Sequence, residues 1–166
     1  EKLIRLKKTS KIVVGNQSYK IKIFENIIDG SEHFALIKGK LTKKTTPRLR
    51  VISSNVVENY LINQNIPNSF NRTIKYFKKF ANCVLIFIRD PNLKSVSQTL
   101  RQYKSDDFYK KGQDRLIKNY GIGAQIIKSL NIKNMVLVTK STKKVVGLEG
   151  YDIEVVGQRA VFGEKD

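Results

Sequence analysis

The sequence holds a single cysteine, Cys83, among 166 residues. One thiol excludes an intramolecular disulfide and any zinc site built on two or more thiolates. Tryptophan is absent, and histidine and methionine occur once each. No uninterrupted apolar run approaches the ~20 residues needed to span a bilayer. No secretory leader is visible. Acidic residues are scarce, with 14 Asp and Glu against 32 Lys and Arg, for a formal charge of +18. What is present is a 40% hydrophobic composition, which argues against wholesale disorder. The length suits one domain, which can bury about 70% of the surface its unfolded chain exposes. These facts predict a soluble, cytoplasmic domain with no membrane contact.

The excess charge has two explanations, attraction to a polyanion or a solvated lysine-rich surface. The positives are spread along the chain, at Lys7-Lys8, Lys43-Lys44, Lys78-Lys79, Lys110-Lys111 and Lys143-Lys144. There is neither a single basic block nor an RNA-binding aromatic signature, so nucleic acid is not the expected partner.

Residues 1–10 read as a linker from a preceding domain, and 11–166 as the domain itself. Ile12-Val13-Val14, the turn Gly15-Asn16 and the alternation of Tyr19, Ile21 and Ile23 with lysines predict a hairpin. Phe34–Ile37 and a run from Leu49 to Ile52 predict two further strands. The spacing of Phe70, Ile74, Phe77 and Ala81 predicts a helix, capped at Asn68 or Ser69. Cys83–Ile88 is a short apolar run, as in a strand buried on both faces. Val96, Leu100 and Tyr103 predict a second helix with this stripe in the core, and Ile122, Ile126, Ile127 and Leu130 a third, ending at Asn131. Val136–Val138 and Ile153–Val156 complete the strands. The expected fold is α/β, bordering on α+β: a β-rich N-terminal part, then helices on a central sheet.

Asn119-Tyr120-Gly121-Ile122-Gly123-Ala124-Gln125-Ile126-Ile127 resembles the [DN]-Y-G-I-G-A-Q-I-L helix of GTP cyclohydrolase II. Lys143-Lys144-Val145-Val146-Gly147-Leu148-Glu149-Gly150-Tyr151, with Glu154-Val155-Val156 after it, is similar to that family's K-K-x-x-G-L-x-G-Y…E-V-V. Glu32–Gly39 resembles its E-H-x-A-L-V-K-G strand, and Arg50-Val51-Ile52-Ser53 stands where the family has R-V-H-S. The resemblance runs from about residue 20 to 162, in order and with nearly the same spacing. Glu1–Arg5 is similar to the E-K-L-V-x-R linker that follows a dihydroxybutanone phosphate synthase domain in bifunctional riboflavin-pathway proteins. With no initial Met, the expectation is the C-terminal half of such a protein.

The resemblance implies a chemistry that these residues do not match. Family members open the imidazole ring of GTP with a zinc-bound water, whose pKa the metal lowers. Three cysteines hold that zinc. Asn55 stands at the first position, and Leu61–Asn68, where the other two should lie, has none. The nucleotide-contacting R-Q-E-G-R loop reads Arg89-Asp90-Pro91-Asn92-Leu93. The D-x-R that supplies the acid–base and nucleophilic groups reads Leu116-Ile117-Lys118. Leucine moves no proton, and lysine lacks the guanidinium fork.

Arg50, Tyr103, Thr139 and Lys144 match nucleotide-contacting positions of the family and are the vestigial binding residues. Each has a structural explanation as well: an ion pair for Arg50, core packing for Tyr103, a turn cap for Thr139 and a solvated face for Lys144. His33, alone of its type, is expected to be hydrogen-bonded rather than catalytic. The expectation is therefore a domain without catalytic residues, metal or cofactor, magnesium belonging only to a parent's synthase domain. It would be a structural or dimerising module, a homodimer attached to that synthase. The alternatives are a sensor that keeps a residual nucleotide or phosphate ligand and a basic nucleic-acid-binding module.

Overall fold

The computed structural model describes residues 2–54, 61, 69–90, 93–104, 121–139 and 152–160. They form β1 (Ile4–Val14), β2 (Gln17–Asn26), β3 (Glu32–Lys38), β4 (Arg48–Ser54), α1 (Ser69–Phe77), β5 (Cys83–Arg89), α2 (Ser95–Tyr103), α3 (121–129), β6 (Asn134–Thr139) and β7 (Glu154–Ala160). All seven strands join one mixed sheet in the order β1-β2-β3-β5-β4-β6-β7.

The sheet has two halves. From β1 to β5 neighbours run antiparallel, and from β5 to β7 they run parallel. Gly15 and Asn16 both take positive φ, 56° and 62°, as a two-residue turn between antiparallel strands requires. The parallel strands need crossovers. The β4-to-β5 connection carries α1, and the return past β4 to β6 carries α3. Crossovers of one hand that travel in opposite directions lie on opposite faces of a sheet.

Alternation along the strands fills both faces. Ala35, Ile37, Leu49, Val84, Ile86 and Ile88 pack with Ile122, Ala124, Ile126, Ile127 and Leu130 on the α3 side. Leu36, Cys83, Leu85 and Val138 pack with Ile74 and Phe77 on the α1 side. A strand covered on both faces carries no polar residue over its middle, so Cys83–Ile88 reads as an unbroken apolar run.

Three expectations need correction. Residues 4–10, read as linker, belong to β1, which pairs with β2 from Ile4↔Asn26 onward. The strand escapes notice because it is an edge exposed along most of its length, so its sequence shows no alternation. The first helix stops at Phe77, and Ala81 is exposed beyond it. In α2 the buried residue is Thr99, whereas Val96, Leu100 and Tyr103 are 56%, 44% and 52% exposed. The expected cap Asn68 lies outside the described residues.

Candidate functional site

Ligands of open α/β sheets bind at the carboxyl ends of parallel strands, where the connections diverge. Here β4 ends at Ser54, paired with Arg89 at the end of β5, and β6 ends at Thr139. Arg50 lies inside β4 and is only 3% exposed. Its Nη1 donates to Thr73 Oγ1 of α1 at 3.1 Å. A guanidinium cannot shed its charge, so burial demands partners of this kind.

Thr139 is half-buried, and Gln158 Nε2 on β7 donates to its Oγ1 at 3.2 Å. Leu49 and Leu137 are register partners, and both face α3. Arg50 stands one residue past that pair and turns to α1, whereas Thr139 stands two past it and turns back to α3. The structure therefore does not bring the two together: they point to opposite faces of the sheet, and Arg50 lies inside β4 rather than at its end, Ser54. Tyr103 ends α2 with half its surface in solvent, so it is not a core residue. Lys144 lies outside the described residues, as do Asn55, residues 62–68 and residues 116–118.

A feature that the sequence did not announce joins β3 to this edge. His33 is fully buried. The Arg89 backbone N–H donates to its Nδ1 at 3.0 Å, so the ring proton resides on Nε2. Nε2 stands 3.1 Å from Ser31 Oγ, which donates to Asp29 Oδ1 at 2.5 Å. A nucleophilic triad needs the opposite order, with the hydroxyl proton passing to the imidazole. This chain of bonds instead locks the 26–31 turn to β5. Desolvation holds the His33 pKa below its usual value and favours the neutral ring that the network requires. The lone histidine is thus hydrogen-bonded, as expected.

Cys83 is buried at the start of β5, and its Sγ lies 3.6 Å from the Phe77 carbonyl oxygen and 3.7 Å from that of Phe80. Burial pushes its thiol up to about 11, so it is protonated at neutral pH and is a poor ligand or nucleophile. Among the described residues no three His, Cys, Asp or Glu side chains gather as metal ligands would, and no helix is long and apolar enough to cross a membrane.

The GTP cyclohydrolase II family model matches residues 6–160. The chain is 25% identical over 144 residues to the monofunctional riboflavin biosynthesis protein RIBA 2 of Arabidopsis thaliana, covering 84% of this chain and 30% of that protein. It is 28% identical over 159 residues to the riboflavin biosynthesis protein RibBA of Thermotoga maritima, covering 87% and 39%. The chain thus spans 30% to 39% of the length of these two relatives. Among solved structures, RibBX, a two-domain 3,4-dihydroxy-2-butanone 4-phosphate synthase from A. baumannii, has the same fold, with a TM-score of 0.56 at 19% identity over 87% of this chain and 36% of that one. By its family match over nearly the whole sequence, the chain belongs to the GTP cyclohydrolase II family.

Proposed function

We propose that this chain is a catalytically inactive GTP cyclohydrolase II-like domain of a cytoplasmic riboflavin-biosynthesis protein. It works as a structural or dimerising module attached to a 3,4-dihydroxy-2-butanone 4-phosphate synthase. The observation that carries this reading is the donor chemistry. Asn55 offers a neutral carboxamide where the family has a thiolate, and Leu61–Asn68 offers no cysteine at all. The sole thiol, Cys83, is sealed beneath α1 and protonated. This donor set does not fit a zinc ion, and Leu116 and Lys118 replace the family's aspartate and arginine. The attached synthase rests on the two-domain RibBX and on the RibBA relatives.

Support for a docking role comes from α2. Leu93, Val96, Leu100 and Tyr103 recur at helical spacing and leave 44% to 101% of each residue exposed. Such a stripe is a contact surface in waiting rather than a core face.

The purified chain, given GTP and magnesium, is expected to release neither formate nor pyrophosphate above background. Elemental analysis is expected to find no stoichiometric zinc. Turnover, or one firmly held zinc per chain, overturns the proposal.

Nucleotide sensing is the second reading: Arg89 and Thr139 end β5 and β6 at the carboxyl edge of the sheet, whereas Arg50 turns to the opposite face from Thr139 and adds nothing to it. At ~0.15 M salt the Debye length is about 8 Å, and the diffuse attraction of a +18 chain fades. GTP binding that persists there while DNA and RNA binding collapses, and that Lys144→Ala abolishes, would favour the sensor. Joint collapse of all three would remove it.

A further inference from the structure

A concavity lies at the end of the sheet opposite Ser54 and Arg89. Gly39 and Lys40 follow β3 where β4 and β5 begin, and Leu130 and Asn131 close α3 just before β6. With Lys20, Lys22, Ile37, Leu41, Thr42 and Ser129 they line a cavity of about 380 Å³. Seven-residue strands place it ~20 Å from the edge that carries Ser54 and Arg89. Gly39 shapes the entrance. Its φ is +82°, and a Cβ there would overlap the Ala81 carbonyl oxygen.

Three lysines and no acidic residue line this cavity. Lys20 and Lys22 are two apart on β2 and share a face of the strand. Lys11 of β1 stands directly opposite Lys20. Like charges in that position repel and destabilise the pair. Among the described residues no ion pair compensates them at this end of the sheet: Arg5 pairs with Glu25 and Lys7 with Glu32, both toward the other end of the hairpin.

Capping of the α3 carbonyls would be the simplest use for these ammonium groups. That use is realised at α1, where Lys38 Nζ donates to Phe77 O at 2.9 Å. Lys20, Lys22 and Lys40 make no such side-chain bond among the described residues, although Lys22 is half-buried. A concave, acid-free cluster held against its own repulsion is a receptor for a multiply charged anion.

We propose that Lys20, Lys22 and Lys40 form a binding site for an oligophosphate group, distinct from the vestigial nucleotide-binding residues. Its size fits a small molecule, and a cavity rather than a stripe of charge distinguishes it from a nucleic-acid track. The site stands whether or not the domain has lost its catalysis.

The test is calorimetric titration of the full chain with tripolyphosphate at ~0.15 M salt. Two variants with equal loss of charge are compared: Lys20→Gln/Lys22→Gln/Lys40→Gln at the cavity, and Lys75→Gln/Lys78→Gln/Lys79→Gln on and after α1. Saturable binding to the unaltered chain is expected, weakened about tenfold or more by the first variant and less than about twofold by the second. Without ligand the first variant should melt no lower than the parent, because Lys20→Gln relieves the Lys11–Lys20 repulsion. That result also shows that it folds. Absence of binding, or equal weakening by both variants, overturns the site. So does preference for a single-stranded oligonucleotide with the same lysine dependence, which would assign the cluster to nucleic acid.

Discussion

The two faces of the sheet are built on different principles. The centre of the α3 face is an apolar cluster, with Ile86, Ala124, Ile126, Ile127 and Met135 fully buried. The α1 face mixes apolar residues with cations. Arg48 lies 4.1 Å over the Phe80 ring and donates to Tyr76 Oη at 3.0 Å. Arg50 reaches Thr73, and Lys38 caps α1. Two of these three cations, Arg48 and Arg50, come from β4. On this face they anchor a helix. A basic side chain kept at a family position is therefore weak evidence for a kept ligand, since packing goes far to account for Arg50 just as it accounts for Arg48, which matches no family motif.

Truncation should separate the faces by size of effect. Ile86→Ala removes buried methyl groups from the α3 face, where neighbours on both sides are close-packed. A loss of about 2–5 kcal/mol in urea unfolding is expected. Arg48→Lys on the α1 face keeps the charge but loses the planar stacking on Phe80 and shortens the reach to Tyr76. Its expected cost is about 1–2 kcal/mol. Equal losses would mean that the two faces are energetically alike, and the contrast would fail.

Acidification probes the anchor between the antiparallel and parallel halves. Protonated His33 would need to donate from Nδ1, but the Arg89 N–H already points at that atom. Asp29 and Arg89 are the charged groups that act on it; desolvation, aided by Arg89, outweighs the opposing pull of Asp29. With a folded-state pKa below the unfolded 6.5, the unfolded chain binds the extra proton first. The contribution is complete above pH 6.5 and is lost as the pH falls from there through the lowered folded-state value. Urea midpoints measured between pH 7.5 and 5 should decline, and His33→Gln should flatten that decline. Glu32, held low by Lys7, acts only below its usual 4.5 and does not confuse this window. An unchanged slope in the variant would remove His33 from the anchor.

How much of this was written in the sequence depended on whether a pattern reports one surface or a choice between surfaces. The hairpin was legible because Gly15-Asn16 fits positive φ and little else does. The strand at Cys83–Ile88 and the third helix were legible because both are apolar where they are covered. Residues 4–10 of β1 were not, since a strand segment exposed along nearly all its length has no reason to alternate. The site was less legible than the fold. That the chain holds only one cysteine is plain in the letters, yet the separation of Arg50 and Thr139 onto opposite faces follows from register, which no local pattern encodes. The Asp29–Ser31–His33 chain likewise needs the Arg89 backbone from a distant strand to fix its proton order.

α2 shows the same ambiguity at its sharpest and gives the smallest effect on stability. Its period places Val96, Leu100 and Tyr103 together but does not say which side of the helix meets the protein. Thr99 takes the buried side, and the apolar stripe faces out. If the stripe served the fold, a polar substitution would unfold the chain. Leu100→Gln keeps helix propensity and volume close to the original and is expected to change stability by no more than about 0.5 kcal/mol. Its effect should fall on association instead. Sedimentation of the unaltered chain should show a concentration-dependent dimer, and the variant should remain monomeric at the same concentrations. A stripe of four apolar residues is short for a permanent interface, so the dimer should dissociate on dilution. Loss of stability without change of mass would place Leu100 in the fold. A monomer in both proteins would take away the dimerising role and leave the synthase domain as the partner to test against this face.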